Sequence, residues 1–301
     1  AIALSPAMSA ERQTALAEID AINSEVLDFS FKALALGQTA PAYDDRCPYL
    51  GLAAFHAENR AFFFGREPLV AQLVNRLADH NFLAVLGGSG SGKSSLVLAG
   101  LIPALQAQNP GLVMRYLTPT SNPVAQLENA LATVPAIGPD QSQILVVDQF
   151  EELFTLCTDP DQRQQFLDRL WALLVEPRSK IVNPKSKIIL TMRADFWGEC
   201  ATFPKLRELM QAHQELVGPM NAQELRSSME QQARAVGLRF ETDLSNTILD
   251  DVSGEPGAMP LLQHALLELW KRRHGRWLRS AEYRALGGVH QAIARTADSI
   301  Y

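Results

Sequence analysis

Short, predominantly apolar runs alternate along this chain with longer stretches in which apolar residues recur every three or four positions. The runs are Phe82–Leu86, Leu112–Leu117, Ile144–Val147, Lys187–Thr191 and Glu215–Val217. Ile144–Val147, wholly apolar, predicts a strand buried on both faces, and strands separated by helical patterns imply a mostly parallel sheet covered by helices. Helical spacing covers Pro68–Asp79, Lys93–Gln106, Pro123–Thr133 and Asp161–Val175 between them. Pro123 stands at a first-turn position, where a missing N–H costs nothing. Beyond Asn221 the pattern changes: residues 221–236, 242–250 and 258–273 read as helices with no strand between them. Residues 280–301 begin a further helical unit. Upstream, Leu16, Ile19, Ile22, Val26 and Phe29 mark an amphipathic helix within residues 10–36, followed by a connector from Gly37 to Pro48. The expected organisation is an N-terminal helix and linker (1–46), an α/β domain (47–220), a helical subdomain (221–279) and the start of another domain (280–301).

Composition narrows the class. A hydrophobic fraction of 47% with 20% charged residues suits a globular protein with a sizeable core. The net charge of −6 argues against a generally nucleic-acid-binding surface. The one basic run, Lys271, Arg272, Arg273, His274, Arg276 and Arg279, reads as a solvated helix end. Cys47, Cys157 and Cys200 lack metal-type spacing and read as free thiols of a reducing, cytoplasmic protein. No apolar run approaches the ~20 residues that span a bilayer, and no basic segment with an apolar core marks export. A start at Ala1 and an end in mid-pattern at Tyr301 are expected of a piece cut from something longer.

The chemistry concentrates between the first strand and its helix. Gly87, Gly92, Lys93 and Ser94 fit G-x-x-x-x-G-K-[ST], in the setting of strand, loop and helix that the motif requires. Glycines here let the backbone curl so that successive N–H groups, from Ser89, Gly90, Ser91 and on to Ser95, face one anion. The start of the helix adds its positive dipole end. Lys93 is the residue to reach the β/γ-phosphates, and the Ser94 hydroxyl the one to ligate Mg²⁺. Asp148 directly follows the strand Ile144–Val147 and is expected to hold the Mg²⁺ shell, although an acid there can also be a plain helix cap.

The base that activates water is less plain. Many such ATPases place Glu next to the Asp, whereas this chain has Gln149, leaving Glu151 and Glu152. A displaced base slows hydrolysis without harming nucleotide binding. Arg193, at the end of the strand Lys187–Thr191, is placed to sense a γ-phosphate, or else to pair with a carboxylate such as Asp195. No Asn-Lys-x-Asp segment exists to read guanine; Asn183-Pro-Lys-Ser is not one.

Four segments together resemble the STAND NTPases, most of all the bacterial novel-STAND group often fused to WD-repeat propellers. They are Cys47-Pro-Tyr-Leu-Gly-Leu-Ala-Ala-Phe55 with Phe62-Phe-Phe-Gly-Arg-Glu67, the phosphate loop, Val147-Asp-Gln-Phe-Glu-Glu-Leu-Phe154, and Arg193-Ala-Asp-Phe196. The resemblance covers about residues 47–301. It implies an AAA+-like parallel-sheet nucleotide-binding core, a helical lid and a winged-helix domain of which residues 280–301 are the start. It further implies that Gly65 and Arg66 contact the adenine side and that Arg193 is a sensor arginine. Asp148 and Glu151 would be its spaced acidic pair, and Pro260, in Gly257-Ala-Met-Pro, the lid proline near adenine. Members of that family are similar to regulated switches, with ATP, ADP and Mg²⁺ as cofactors. C-terminal sensor repeats, an N-terminal effector and self-association on ATP binding are the implied partners.

Overall fold

The computed structural model describes residues 14–16, 19, 43–133, 142–175, 186–252 and 257–293. These fall into two compact units. One takes its residues from Leu52–Ser228 and Ser253–Leu261, the other from the chain up to Gly51, Met229–Val252 and Leu262 onward. Of the N-terminal helix, residues 14–16 and 19 are helical with Leu16 and Ile19 exposed; Ile22, Val26 and Phe29 lie outside the described residues.

The first unit contains β1 (Phe82–Gly87), β2 (Val113–Leu117), β3 (Gln143–Val147), β4 (Ser186–Arg193) and β5 (Gln214–Val217) in one sheet, ordered β2-β3-β4-β1-β5. Every pairing in it is parallel. The alternation of a strand's side chains explains why the central runs Phe82–Leu86 and Ile144–Val147 are apolar at every position. Phe82, Ala84 and Leu86 enter one buried cluster with Leu145, Val147 and Phe166, while Leu83 and Val85 enter another with Ile144, Val146 and Ile189. Both faces are covered, so no strand position on β1 is left for a polar residue.

The helices of this unit are α1 (Glu67–Asp79), α2 (Lys93–Ser95), α3 (Ile102–Gln108), α4 (Pro123–Ala132), α5 (Glu152–Thr155), α6 (Pro160–Val175), α7 (Trp197–Ala201) and α8 (Pro204–Ala212). A fully buried π-helical segment, Leu96–Leu101, joins α2 to α3. Its Gly100 lets α1 approach closely, since a Cβ there would lie 2.7 Å from Val70 and 2.9 Å from Phe63. Periodicity left α7 and α8 unassigned, because Gly198 and Pro204 cut the segment into pieces too short to show a repeat.

Helix α9 (Ala222–Ala235) follows, then β6 (Arg239–Phe240), α10 (Leu244–Val252), α11 (Ala258–Lys271), β7 (Trp277–Leu278) and α12 (Ser280–Leu286). The two-residue strands β6 and β7 pair in parallel, which corrects the expectation of a strand-free segment. Two residues are too few to carry any periodicity.

The second unit engages the linker before the sheet. Tyr49 is fully buried there and its hydroxyl donates to the Met229 carbonyl. The Tyr43 hydroxyl accepts from Arg273 Nη2 at 3.1 Å, and the Arg276 guanidinium lies 5.2 Å from the Tyr43 ring. Lys271 pairs with Glu268 and His274 with Glu282. Most of the basic run is thus committed to intramolecular contacts.

Candidate nucleotide site

The glycine loop leaves β1 at Gly87 and returns at Lys93, the first residue of α2. Gly90 and Gly92 stand at φ +70° and +84°, the left-handed region that side-chain-bearing residues avoid. Gly87 is needed for a different reason. A Cβ there would fall 2.7 Å from both Ser91 Oγ and the Val217 carbonyl. Lys93 folds back over its loop, donating to the carbonyls of Gly87 at 3.1 Å and Gly88 at 2.8 Å. Burial draws its pKa below the ordinary lysine value, against the pull of Glu151 and then Asp148. Ser91 Oγ is buried and has no hydrogen-bond partner among the described residues. Ser89 is exposed beside it, and the Ser95 hydroxyl accepts the Phe55 N–H at 3.0 Å.

Strand order brings the acidic side of the site to this loop. β4 lies between β1 and β3, with Gly87 paired to Arg193 and Val147 to Leu190. The C-terminal ends of neighbouring parallel strands form a crevice, the usual ligand position in such sheets. Asp148, just past β3, accepts Ser94 Oγ on Oδ1 at 2.8 Å and the Tyr116 hydroxyl on Oδ2 at 3.1 Å. Thr191 Oγ1 also donates to Oδ1. The two glutamates part company. Glu151 Oε2 accepts the Arg193 N–H at 3.2 Å, and Glu151 is the foremost carboxylate acting on Lys93. Burial holds Glu152 above the usual carboxylate range; a Thr120 backbone hydrogen bond opposes this, while Glu151 and Asp148 add to it. Arg193 itself is exposed and forms a two-bond pair with Asp195, at 3.1 and 2.6 Å.

Gly65 and Arg66 precede α1. Arg66 is buried, donating to the Gly218 carbonyl at 2.6 Å and facing Glu224 at 3.4 Å. Gly65 stands at φ +88°, and a Cβ would lie 2.5 Å from the Glu224 carbonyl oxygen. Gly65→Ala is therefore expected to cost about 1–3 kcal/mol in denaturant unfolding, from strain alone. Pro260, near the start of α11, meets the loop directly, since a Cβ on Gly90 would fall 2.9 Å from Pro260 Cγ. Two contacts went unread in the sequence. Thr191 closes the run Lys187–Thr191, and Tyr116 lies inside the run Leu112–Leu117. A hydroxyl at the C-terminal end of a parallel strand was the available signal for both.

The residues present fit a nucleotide phosphate and its metal. Ser91 Oγ lacks a partner among the described residues, Gly87 lines a cradle that a Cβ would fill, and Ser94 with Asp148 offers the hard oxygen donors that Mg²⁺ takes. A glycine loop between strand and helix, and an acidic strand end reached across one intervening strand, define a P-loop NTPase with an AAA+-like sheet. The chain belongs to the Novel STAND NTPase 1 family, whose profile matches residues 48–301.

Solved structures share this fold. The ORC1 protein of Aeropyrum pernix, solved in complex with DNA, aligns at a TM-score of 0.55 and 18% identity, covering 78% of this chain and 66% of that one. Domain III of the Thermotoga maritima replication initiation protein DnaA aligns at 0.52 and 15% identity, over 79% and 95% of the two chains. The Aeropyrum pernix ORC2 protein, in ADPNP–ADP complexes, aligns at 0.52 and 14%, over 76% and 66%. This chain spans 66% of the length of each Aeropyrum protein, and identities this low speak for the fold alone. No curated protein matches the sequence significantly. Among the described residues no helix is long and apolar enough to cross a membrane.

Proposed function

We propose that this chain is the ATP/ADP-binding switch module of a larger cytoplasmic, bacterial signalling or defence protein, with slow Mg²⁺-dependent hydrolysis. Nucleotide exchange would be coupled to opening and self-association, with WD-type sensor repeats and an effector elsewhere in the full protein. The observation that carries this reading is Pro260 seated on Gly90. Pro260, which belongs to the same compact unit as the loop, touches the backbone that would cradle the phosphates, so phosphate occupancy and the position of that proline bear on each other. A ligand shifts such an equilibrium only by its differential affinity for the two arrangements.

The chemistry follows from the side chains. Lys93, held over its own loop, offers an ammonium to the β/γ-phosphates in place of the two carbonyls it now caps. Bound Mg²⁺, held by the Ser94 hydroxyl and Asp148, would neutralise the charge on the transferring phosphoryl oxygens. Glu151 is the base we assign, since the Arg193 N–H at the end of β4 holds its carboxylate beside the phosphate crevice while Glu152 bonds Thr120. Gln149 carries no ionisable group at the position next to Asp148, and the base lies two residues further along a tight turn. Slow turnover is the consequence.

The test is mass identification of the co-purifying nucleotide with turnover on the same sample. ADP is expected, with turnover below about 1 s⁻¹, under the range of most working enzymes. Guanine nucleotide would sink the adenine assignment, and failure to assemble on ATP would sink self-association. An ATPase working on DNA is the rival reading. The intramolecular contacts of Lys271, Arg273 and His274 weigh against it, and strong stimulation of hydrolysis by DNA would revive it.

A further inference from the structure

Asp148 is 2% exposed, and three hydroxyls from three different elements meet its carboxylate. Only one of them, Ser94, belongs to the phosphate-binding motif. Thr191, on β4 and 1% exposed, donates to Oδ1. Tyr116, on β2 at the edge of the sheet, donates to Oδ2 at 3.1 Å. Both oxygens are thereby fixed in rotation, by groups that carry no charge.

Thr191 does more than hold the carboxylate. Its Oγ1 accepts the Gln149 N–H at 3.1 Å, and its carbonyl accepts the Phe150 N–H at 2.8 Å. Gln149 stands at φ +52°, a conformation that a non-glycine residue keeps only where surrounding bonds hold it. Two residues along the same strand, the Arg193 N–H donates to Glu151. Each residue from Asp148 to Glu151 is thus bonded from the end of β4. A threonine hydroxyl has one proton to give and lone pairs to accept with, so it serves Asp148 and Gln149 together. Valine has the same shape and can do neither.

We propose that Thr191, seconded by Tyr116, is a positioning residue that aims Asp148 at the metal and sets the turn that carries Glu151. The proposal rests on the reading of this crevice as a Mg²⁺–nucleotide site. It names a role for β4 that is separate from the arginine at its end. Thr191 acts through other residues, so its loss should be felt in the response to Mg²⁺ and in turnover, and not in the grip on nucleotide alone.

The experiment measures ADP and ATP affinity in excess EDTA and across a Mg²⁺ titration, with turnover, for the unmutated protein and three variants. Thr191→Val is expected to leave the EDTA affinity within about twofold. It should raise the Mg²⁺ midpoint about tenfold and lower turnover at least as much, the scale of a lost hydrogen bond to a charged group. Thr191→Ser should restore most of both. Tyr116→Phe should move the Mg²⁺ midpoint about threefold in the same direction. A Thr191→Val protein with an unchanged Mg²⁺ midpoint and turnover overturns the proposal. So does an equal loss of affinity with and without Mg²⁺, which is the mark of a merely structural residue. Should Thr191→Val lose its cooperative melt, Tyr116→Phe decides in the same way, since Tyr116 is 41% exposed and loses only an oxygen. Absence of any Mg²⁺ response in the unmutated protein would instead sink the site reading itself.

Discussion

Lys93→Ala is expected to abolish measurable ATP and ADP binding, a loss of at least about 100-fold, while leaving the apo protein folded. The two halves of that result have separate causes. A charge-assisted bond to phosphate is among the strongest a side chain makes, and in the proposed site two phosphates would share this one ammonium. Without nucleotide, the same lysine is a burden. It is buried, its hydrogen-bond partners among the described residues are two backbone carbonyls of the loop it serves, and burial lowers its pKa. A lysine whose folded pKa is depressed binds fewer protons than the unfolded chain, so stability from it rises with pH up to the unfolded value near 10.5. At neutral pH the burial penalty is in force. Removing the side chain relieves it, at the cost of two unbonded carbonyls, so the apo melting temperature should change little. Calorimetry with and without ADP checks both halves. The unmutated protein should gain thermal stability with ligand concentration, and Lys93→Ala should gain none. For the unmutated protein, affinity should also fall as pH rises through the lowered lysine pKa.

The phosphate side of this site was legible in the sequence because its chemistry is local. The loop, Lys93 and Ser94 are consecutive, and the strand and helix around them carry their own apolar patterns. Asp148 was legible for the same reason, as an acid ending a buried run. What joins the two halves is not local. Thr191 reaches Asp148 only because β4 inserts between β1 and β3, and a strand's neighbours are set by sheet order, which periodicity does not encode. The two readings of Arg193 also needed coordinates. Its side chain pairs with Asp195 while its backbone N–H serves Glu151, and no spacing rule separates a side-chain role from a backbone one. Arg66 is the same kind of case, since its partners Gly218 and Glu224 lie far along the chain.

The second large effect separates the paired glutamates. Glu151→Gln should cut ATP turnover about 100-fold or more, within the range that general bases contribute, and leave nucleotide affinity nearly unchanged. Glu152→Gln should keep turnover within about threefold and make the protein more stable toward higher pH. The reasoning for the second rests on sign. Burial holds the Glu152 carboxyl above its ordinary value of 4.5, with repulsion from Glu151 and Asp148 added. Above 4.5 the unfolded chain has released this proton while the folded chain still holds it. Stability therefore falls as pH rises from 4.5 through the raised value, and the penalty persists at neutral pH. Glutamine carries no charge to bury, so the variant should lose that slope and melt higher than the parent at pH 7. The contrast is the test. Loss of turnover in Glu152→Gln with Glu151→Gln intact would reverse the assignment. Equal loss in both would mean that water is oriented by the turn as a whole, with Gln149 at φ +52° its most constrained residue.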